Sequence, residues 1–298
     1  MSRVVVVGSL NVDIHLLLQR HIRPGETLLA SGGTFSPGGK GANQACAAAL
    51  AGAETTMCGA IGDDASSSVA TALLEAAGVD VTHVRRVPGP TGLAVVSVDA
   101  EGENTVVVVP GANAEVSPAM VDDWAGVVAA AGVVVLQGEI SAASNLAVSR
   151  LVEGRLVVNL APVIEVAPEL LLAADPLVVN EHEGTAALTQ LGGQELTDPD
   201  AVVRGLRAAG VSSVVMTLGA AGALVAHGDE VVTVASPRVR AVDTVGAGDA
   251  FCGALAARLA EGESLEAASA YAARFAAYTV QFEGAQASYP PRGTGLPT

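Results

Sequence analysis

Large rings are scarce in this chain. Phenylalanine, tyrosine and tryptophan together supply 3% of its 298 residues, although half of all residues are apolar. The apolar weight falls on alanine and valine, small side chains that suit tight packing of helices on a sheet. Positive charge is also scarce: 15 Lys and Arg face 31 Asp and Glu, a formal net charge of −16. That balance excludes nucleic acid and anionic membrane surfaces as partners, since both require a positive face. It does not exclude a phosphate-bearing ligand, whose site is built locally from backbone N–H groups, a lysine and metal ions. Only three cysteines occur, Cys46, Cys58 and Cys252, with no CxxC pair. Neither a disulfide framework nor a zinc site is expected, and the thiols read as buried groups of a reducing compartment. Long hydrophobic runs are missing. The longest, from Trp124 to Leu136, spans 13 residues and includes two glycines, short of the roughly 20 that a membrane-spanning helix needs. The run at 4–7 ends at Gly8, too short for a secretory leader, and the expected location is the cytoplasm.

What is present is a rhythm of valine-rich runs alternating with alanine-rich amphipathic stretches. Strands are predicted at 4–7, 55–59, 133–136, 156–159, 177–179 and 213–217. Their continuous apolar character is that of parallel strands covered by helices on both faces. Ser117-Pro118 before 121–131 and Asp198-Pro199 before 202–209 are helix starts, a capping residue followed by proline. The expected fold is α/β, a doubly wound three-layer α/β/α sandwich. A chain this long buries about 75% of its unfolded surface, so it needs no covalent staple. Two segments break the rhythm, 13–36 and 91–109. The second reads as a hairpin, 93–99 and 105–109, turning at Glu101-Gly102. Together they predict a small β lid standing off a main domain of 1–12, 37–90 and 110–298. Val106, Val107, Val108 and Val109 are apolar without a break, so both faces need cover: a ligand on one side and a second subunit on the other, or simply core.

Four loop segments carry chemistry. Asp243-Thr244-Val245-Gly246-Ala247-Gly248-Asp249 follows a β-like segment at 239–242 and opens an alanine-rich helix. Its glycines allow close backbone approach, and the helix N-terminus attracts anions. The helix dipole favours a carboxylate at Asp249, which can then accept a proton from a hydroxyl. A glycine turn with an ordinary helix charge reads the same way. Gly38-Gly39-Lys40-Gly41-Ala42-Asn43-Gln44 leads into a helix at 45–50. It is no P-loop, because Gly41 stands where Ser or Thr must hold magnesium. A glycine turn with Lys40 and Asn43 suits a polyhydroxylated ligand, or is a plain tight turn. Asn11 and Asp13, after the first strand, lie on one face of an extended chain and match the hydrogen-bonding needs of a sugar. Gly8 stands without a GxGxxG pattern, so a Rossmann dehydrogenase is a poor reading. Asn180-Glu181-His182-Glu183 ends the fifth predicted strand, at the edge where open α/β sheets bind ligands. It offers hard oxygens for Mg²⁺ or a helix cap.

In order and content these segments resemble the ribokinase family of carbohydrate kinases, from residue 4 to about 288. GGKGAN at 38–43 and DTVGAGDAF at 243–251 are the specific motifs. The resemblance implies that Asn11, Asp13, Gly39, Lys40, Asn43 and Glu139 bind sugar hydroxyls, with Asp249 as catalytic base. It implies that Gly246, Ala247 and Gly248 form the anion hole for phosphoryl transfer from ATP. Asn180 and Glu183 would organise Mg²⁺ and phosphate, and Thr217, Gly219, Gly222, Gly248 and Ala273 the nucleotide. Asp243, Ser288 and the carbonyls of Val245, Val280 and Gly284 would hold K⁺. The lid would close over the sugar and form a homodimer contact. Ala273 replaces a larger polar residue of many relatives, and the usual last helix is missing after Ser288. Within the family the pattern is nearest to ribokinases, implying phosphorylation of ribose at its primary hydroxyl. Another pentose, a ketose such as fructose, or a nucleoside is the alternative substrate, and a non-catalytic sugar sensor the alternative class.

Overall fold

The computed structural model describes residues 3–298. The strands are β1 (Arg3–Val7), β2 (Asn11–Leu17), β3 (Gly32–Gly38), β4 (Glu54–Ile61), β5 (Asp80–Arg86), β6 (Gly92–Val98), β7 (Asn104–Val109), β8 (Val133–Leu136), β9 (Arg155–Asn159), β10 (Leu177–Asn180), β11 (Ser213–Thr217), β12 (Ala223–His227) and β13 (Glu230–Val234). The helices are α1 (Lys40–Leu50), α2 (Ser67–Ala76), α3 (Pro118–Asp122), α4 (Ala125–Ala129), α5 (Ala142–Ser149), α6 (Pro168–Leu172), α7 (Glu181–Gln190), α8 (Pro199–Ala208), α9 (Ala247–Ala260) and α10 (Leu265–Thr279).

One nine-stranded sheet has the order β13-β12-β11-β10-β9-β8-β1-β4-β5. Pairings from β11 through to β5 are parallel, while β12 and β13 close one edge antiparallel. Alternation along β1 shows how it is covered: Val4 and Val6 join a core with α1, α9 and α10, whereas Val5 and Val7 join Trp124, Val148 and Leu206 on the other face. A sheet buried on both faces is the expected three-layer sandwich. Because β1, β8, β9, β10 and β11 run the same way, the residues that follow them gather along one edge. Among the described residues no helix is long and apolar enough to cross a membrane.

A second, four-stranded sheet, β3-β2-β6-β7, stands apart. The expected hairpin forms as β6 and β7, with Leu93 opposite Val109. Val106–Val109 are 45–63% exposed, so the alternative that both faces of this edge are core is overturned.

Other differences have local causes. The helix expected over 121–131 is two short ones, because at Trp124 the backbone leaves helical geometry (φ −97°, ψ 1°). There Trp124 N–H reaches only to Val121, 2.9 Å away, while the indole is wholly buried. The β-like segment at 239–242 is not a strand. Val242 and Asp243 instead donate their N–H groups to the Val280 carbonyl at 2.7 and 3.2 Å. The GGKGAN helix begins at Lys40, not at 45. After α10 the chain forms a one-turn 3₁₀ segment, Gln286–Ser288.

The helix pair that positions the site is α1 against α9. Residues 41–49 of α1 are all buried, and a Cβ on Gly253 of α9 would fall within 2.6 Å of Ala47 Cβ and closer still to the Gln44 carbonyl. Alanine and glycine are what let the two backbones approach. Gly253→Leu is expected to lower stability by roughly 1–3 kcal/mol or more, read as a drop in melting temperature; an unchanged melting temperature would contradict this packing.

Candidate active site

Asp249 lies in the first turn of α9, 6% exposed. Both its oxygens are held by amides of α1: Asn43 Nδ2 donates to Oδ2 at 3.0 Å and Gln44 Nε2 to Oδ1 at 2.9 Å. The preceding Gly246 has φ +73°, the left-handed geometry that admits glycine most readily, and caps the helix. Among the described residues its own N–H and that of Gly248 find no acceptor, as at a helix N-terminus, while Ala247 N–H closes a turn onto Thr244 O at 3.2 Å. The Tyr289 hydroxyl donates to the Gly246 carbonyl, 3.2 Å away.

Two cavities meet here. A polar one of about 250 Å³ is lined by Lys40, Asn159, Asn180, Glu183, Gly246, Gly248, Asp249 and Cys252. An apolar one of about 270 Å³ is lined by Gly219, Gly222, Val239, Ala273, Ala276, Ala277 and Val280. They share Thr217, Thr244 and Gly248. Lys40 is the only lysine in the chain; its ammonium is held above its ordinary pKa first by the charge of Asp249, against the opposing pull of burial.

On the other side of Lys40, β2 presents Asn11 and Asp13, both buried. Asn11 Oδ1 accepts from Asn113 at 2.7 Å. Asp13 Oδ1 is buried without a partner. Burial, then the charges of Glu139 and Asp249, push this carboxyl up to about 7. Gly38 has no room for a side chain, because a Cβ would land on the Asp13 carboxylate. Glu139 Oε2 accepts from the Ser9 hydroxyl at 2.5 Å and Lys40 N–H at 3.0 Å, tying the loop after β8 to the start of α1.

Asn180 and Glu183 form a capping box on α7, each side chain accepting the other's N–H at 2.8 Å. One Glu183 oxygen is left over, and burial raises its carboxyl. Asp243 accepts from Val245 N–H at 2.9 Å and Gly284 N–H at 2.8 Å. The Ser288 hydroxyl donates to Ala285 O at 2.7 Å. All donors of this loop are hard oxygens, as an alkali cation requires. The Val280 carbonyl already accepts two N–H groups, which makes it the weakest member of the set.

Several residues the sequence reading passed over belong to the site. Gln44, Gln137, Asn159 and Gln286 are all at most 7% exposed. Gln137 and Asn159 stand at the C-terminal ends of β8 and β9, and the rule that singled out Asn180 would have found them. Gln44 lies inside the quoted GGKGANQ segment.

Residues 1–292 match the family model of pfkB family carbohydrate kinases. The chain belongs to that family. It is 36% identical to a ribokinase of Arabidopsis thaliana over 98% of its own length and 79% of the relative's. A ribokinase from Thermotoga maritima superposes with a TM-score of 0.92 at 34% identity, covering 98% of this chain and 97% of that one. An Arabidopsis thaliana ribokinase complexed with ribose and ATP gives 0.89 at 34% identity, over 98% and 96%. This member of the pfkB family is thus a carbohydrate kinase by sequence and fold.

The buried Asp13 has a stability consequence. Its folded pKa of about 7 lies above the ordinary 3.8, so the folded state holds the proton more tightly than the unfolded one. Stability therefore falls as pH rises from about 4 to about 7, by an amount on the order of 4 kcal/mol, and stays reduced above. Asp13→Asn should raise the melting temperature at pH 8, and the gain should vanish near pH 4; a gain independent of pH would contradict the assignment.

Proposed function

We propose that this chain transfers the γ-phosphoryl group of ATP to the primary hydroxyl of D-ribose. The observation that carries the reading is Asp249, held by two amides at a helix N-terminus, in one polar cavity with Lys40 and unspent backbone N–H groups. Asp249 accepts the hydroxyl proton as the sugar oxygen attacks the γ-phosphorus. The bond from that phosphorus to the bridging oxygen breaks, and ADP leaves. Gly246 and Gly248 N–H groups meet the charge that develops on the transferring phosphoryl group. Ala247 joins them only by releasing its turn bond to Thr244. Asn11, Asp13, Gly39, Lys40, Asn43 and Glu139 hold the sugar, consistent with the unpartnered Asp13 oxygen.

The apolar cleft suits adenine, with Thr217, Gly219 and Gly222 on one wall and Ala273 on the other. Thr217, Thr244 and Gly248, common to both cavities, lie where the triphosphate crosses. Asn180 and Glu183 fit Mg²⁺ through water, since one Glu183 oxygen is free; the ion supplies positive charge to the phosphates. Asp243, Val245, Gly284 and Ser288 fit K⁺, with Val280 in a lesser part; the ion supplies fixed charge beside the anion turn. We read 13–36 and 91–109 as the lid over the sugar, whose exposed Val106–Val109 edge pairs with a second copy in a homodimer. The location that suits its substrates is the cytoplasm.

An ADP-release assay with ATP, Mg²⁺ and ribose, deoxyribose, fructose or adenosine tests the reading, with and without K⁺. Ribose should give the highest kcat/KM and K⁺ should raise turnover; preference for another acceptor would replace ribose. Asp249→Ala should lower kcat by about 10²–10⁴-fold while sugar binding survives, and near-normal turnover would sink the base assignment. Because free-enzyme groups govern kcat/KM, that quantity for ribose should fall as pH drops below about 7, where Asp13 takes up a proton.

A further inference from the structure

We infer that Gln44 and Asn159 are positioning residues, a relay of amides that sets the catalytic carboxylate from a fixed backbone group. The inference rests on Asp249 being the base. It starts at the Val178 carbonyl, which can only accept. Asn159 Nδ2 donates to it at 3.1 Å, so the Asn159 Oδ1 must face the other way. Gln44 Nε2 meets that oxygen at 3.0 Å and uses its second hydrogen on Asp249 Oδ1 at 2.9 Å. The Gln44 Oε1 then turns to Gln137 Nε2, 2.8 Å away. Each of these contacts sets a donor against an acceptor, and reversing Asn159 or Gln44 would set like against like along the line.

The shape of a primary amide does not distinguish its two ends, so something must choose which end faces Asp249. Here the choice descends from a peptide carbonyl of β10 through two side chains. On the other oxygen, Gln286 Nε2 donates to Asn43 Oδ1 at 3.0 Å, which turns Asn43 Nδ2 onto Asp249. The carboxylate is gripped at both ends, and its rotation about the Cβ–Cγ bond is fixed. Its remaining lone pairs are left for the hydroxyl it must deprotonate. Asn159 also lines the polar cavity, but Gln44 is wholly buried and lines neither cavity. Their effect on the reaction passes through Asp249.

Two variants test this. Gln44→Leu keeps the bulk and removes the donor; Gln44→Glu keeps the shape and sets a second carboxyl against Asp249. Both changes raise the proton affinity of the base, by lost hydrogen bonding in one and like charge in the other. Both should lower kcat about 10- to 100-fold, leave the ribose KM within about twofold, and move the acid limb of the kcat–pH profile to higher pH. Thermal melts establish folding, and if the leucine variant fails to fold, Gln44→Glu decides alone. A kcat loss with an unmoved pH profile, or unchanged turnover, overturns the relay. Asp249→Ala run in parallel separates the two claims: if it retains turnover the base reading itself is wrong, and if it is inactive while both Gln44 variants behave as wild type, only the relay falls.

Discussion

A carboxylate can stay buried at Asp249 because two helices come close enough for the amides of one to grip the acid of the other. The approach of α1 to α9 is closer than branched or aromatic side chains would permit, and it explains a composition rich in alanine and poor in rings. Both helices begin at the same edge of the sheet, so their N-termini converge on one cavity. The geometry of that cavity is thus a by-product of dense packing.

Electrostatics run against the site as much as for it. Glu139, Glu183 and Asp249 act on a single lysine, and Glu139 and Asp249 act also on Asp13, in a protein whose net charge is −16. Two of these carboxyls, Asp13 and Glu183, are pushed upward chiefly by burial. Such a cluster is a cost accepted for function, the usual place where a fold departs from its own stability optimum. A triphosphate entering it must be met by local N–H groups and cations, since the surrounding field repels it.

Much of this was legible in the residues. The buried central strands announced themselves as unbroken valine runs, and the glycine motifs marked both helix starts. Edge strands did not: β5 reads Asp-Val-Thr-His-Val-Arg-Arg, half of it turned to water, so it lacks the apolar signal of a covered strand. The segment at 239–242 misled for the opposite reason, its valines serving a loop tied to Val280. Asp249, Lys40 and Asn43 could be named from motif chemistry. The supporting amides could not be ranked, because Gln44 lies 93 residues from Gln137 and 115 from Asn159 and meets them only in the fold. A place at a strand end marks two of them as candidates but does not say which partners they meet.

A lone primary amine among the side chains has a practical meaning. Reagents that seek amino groups find, beyond the chain's terminal one, a single target at 40, on the wall of the polar cavity. Occupancy by a nucleotide would shield it. Modification at 40 by an amine-reactive dye would therefore report on, and compete with, the filling of that cavity, whereas the other positive side chains are arginine or histidine and pass untouched.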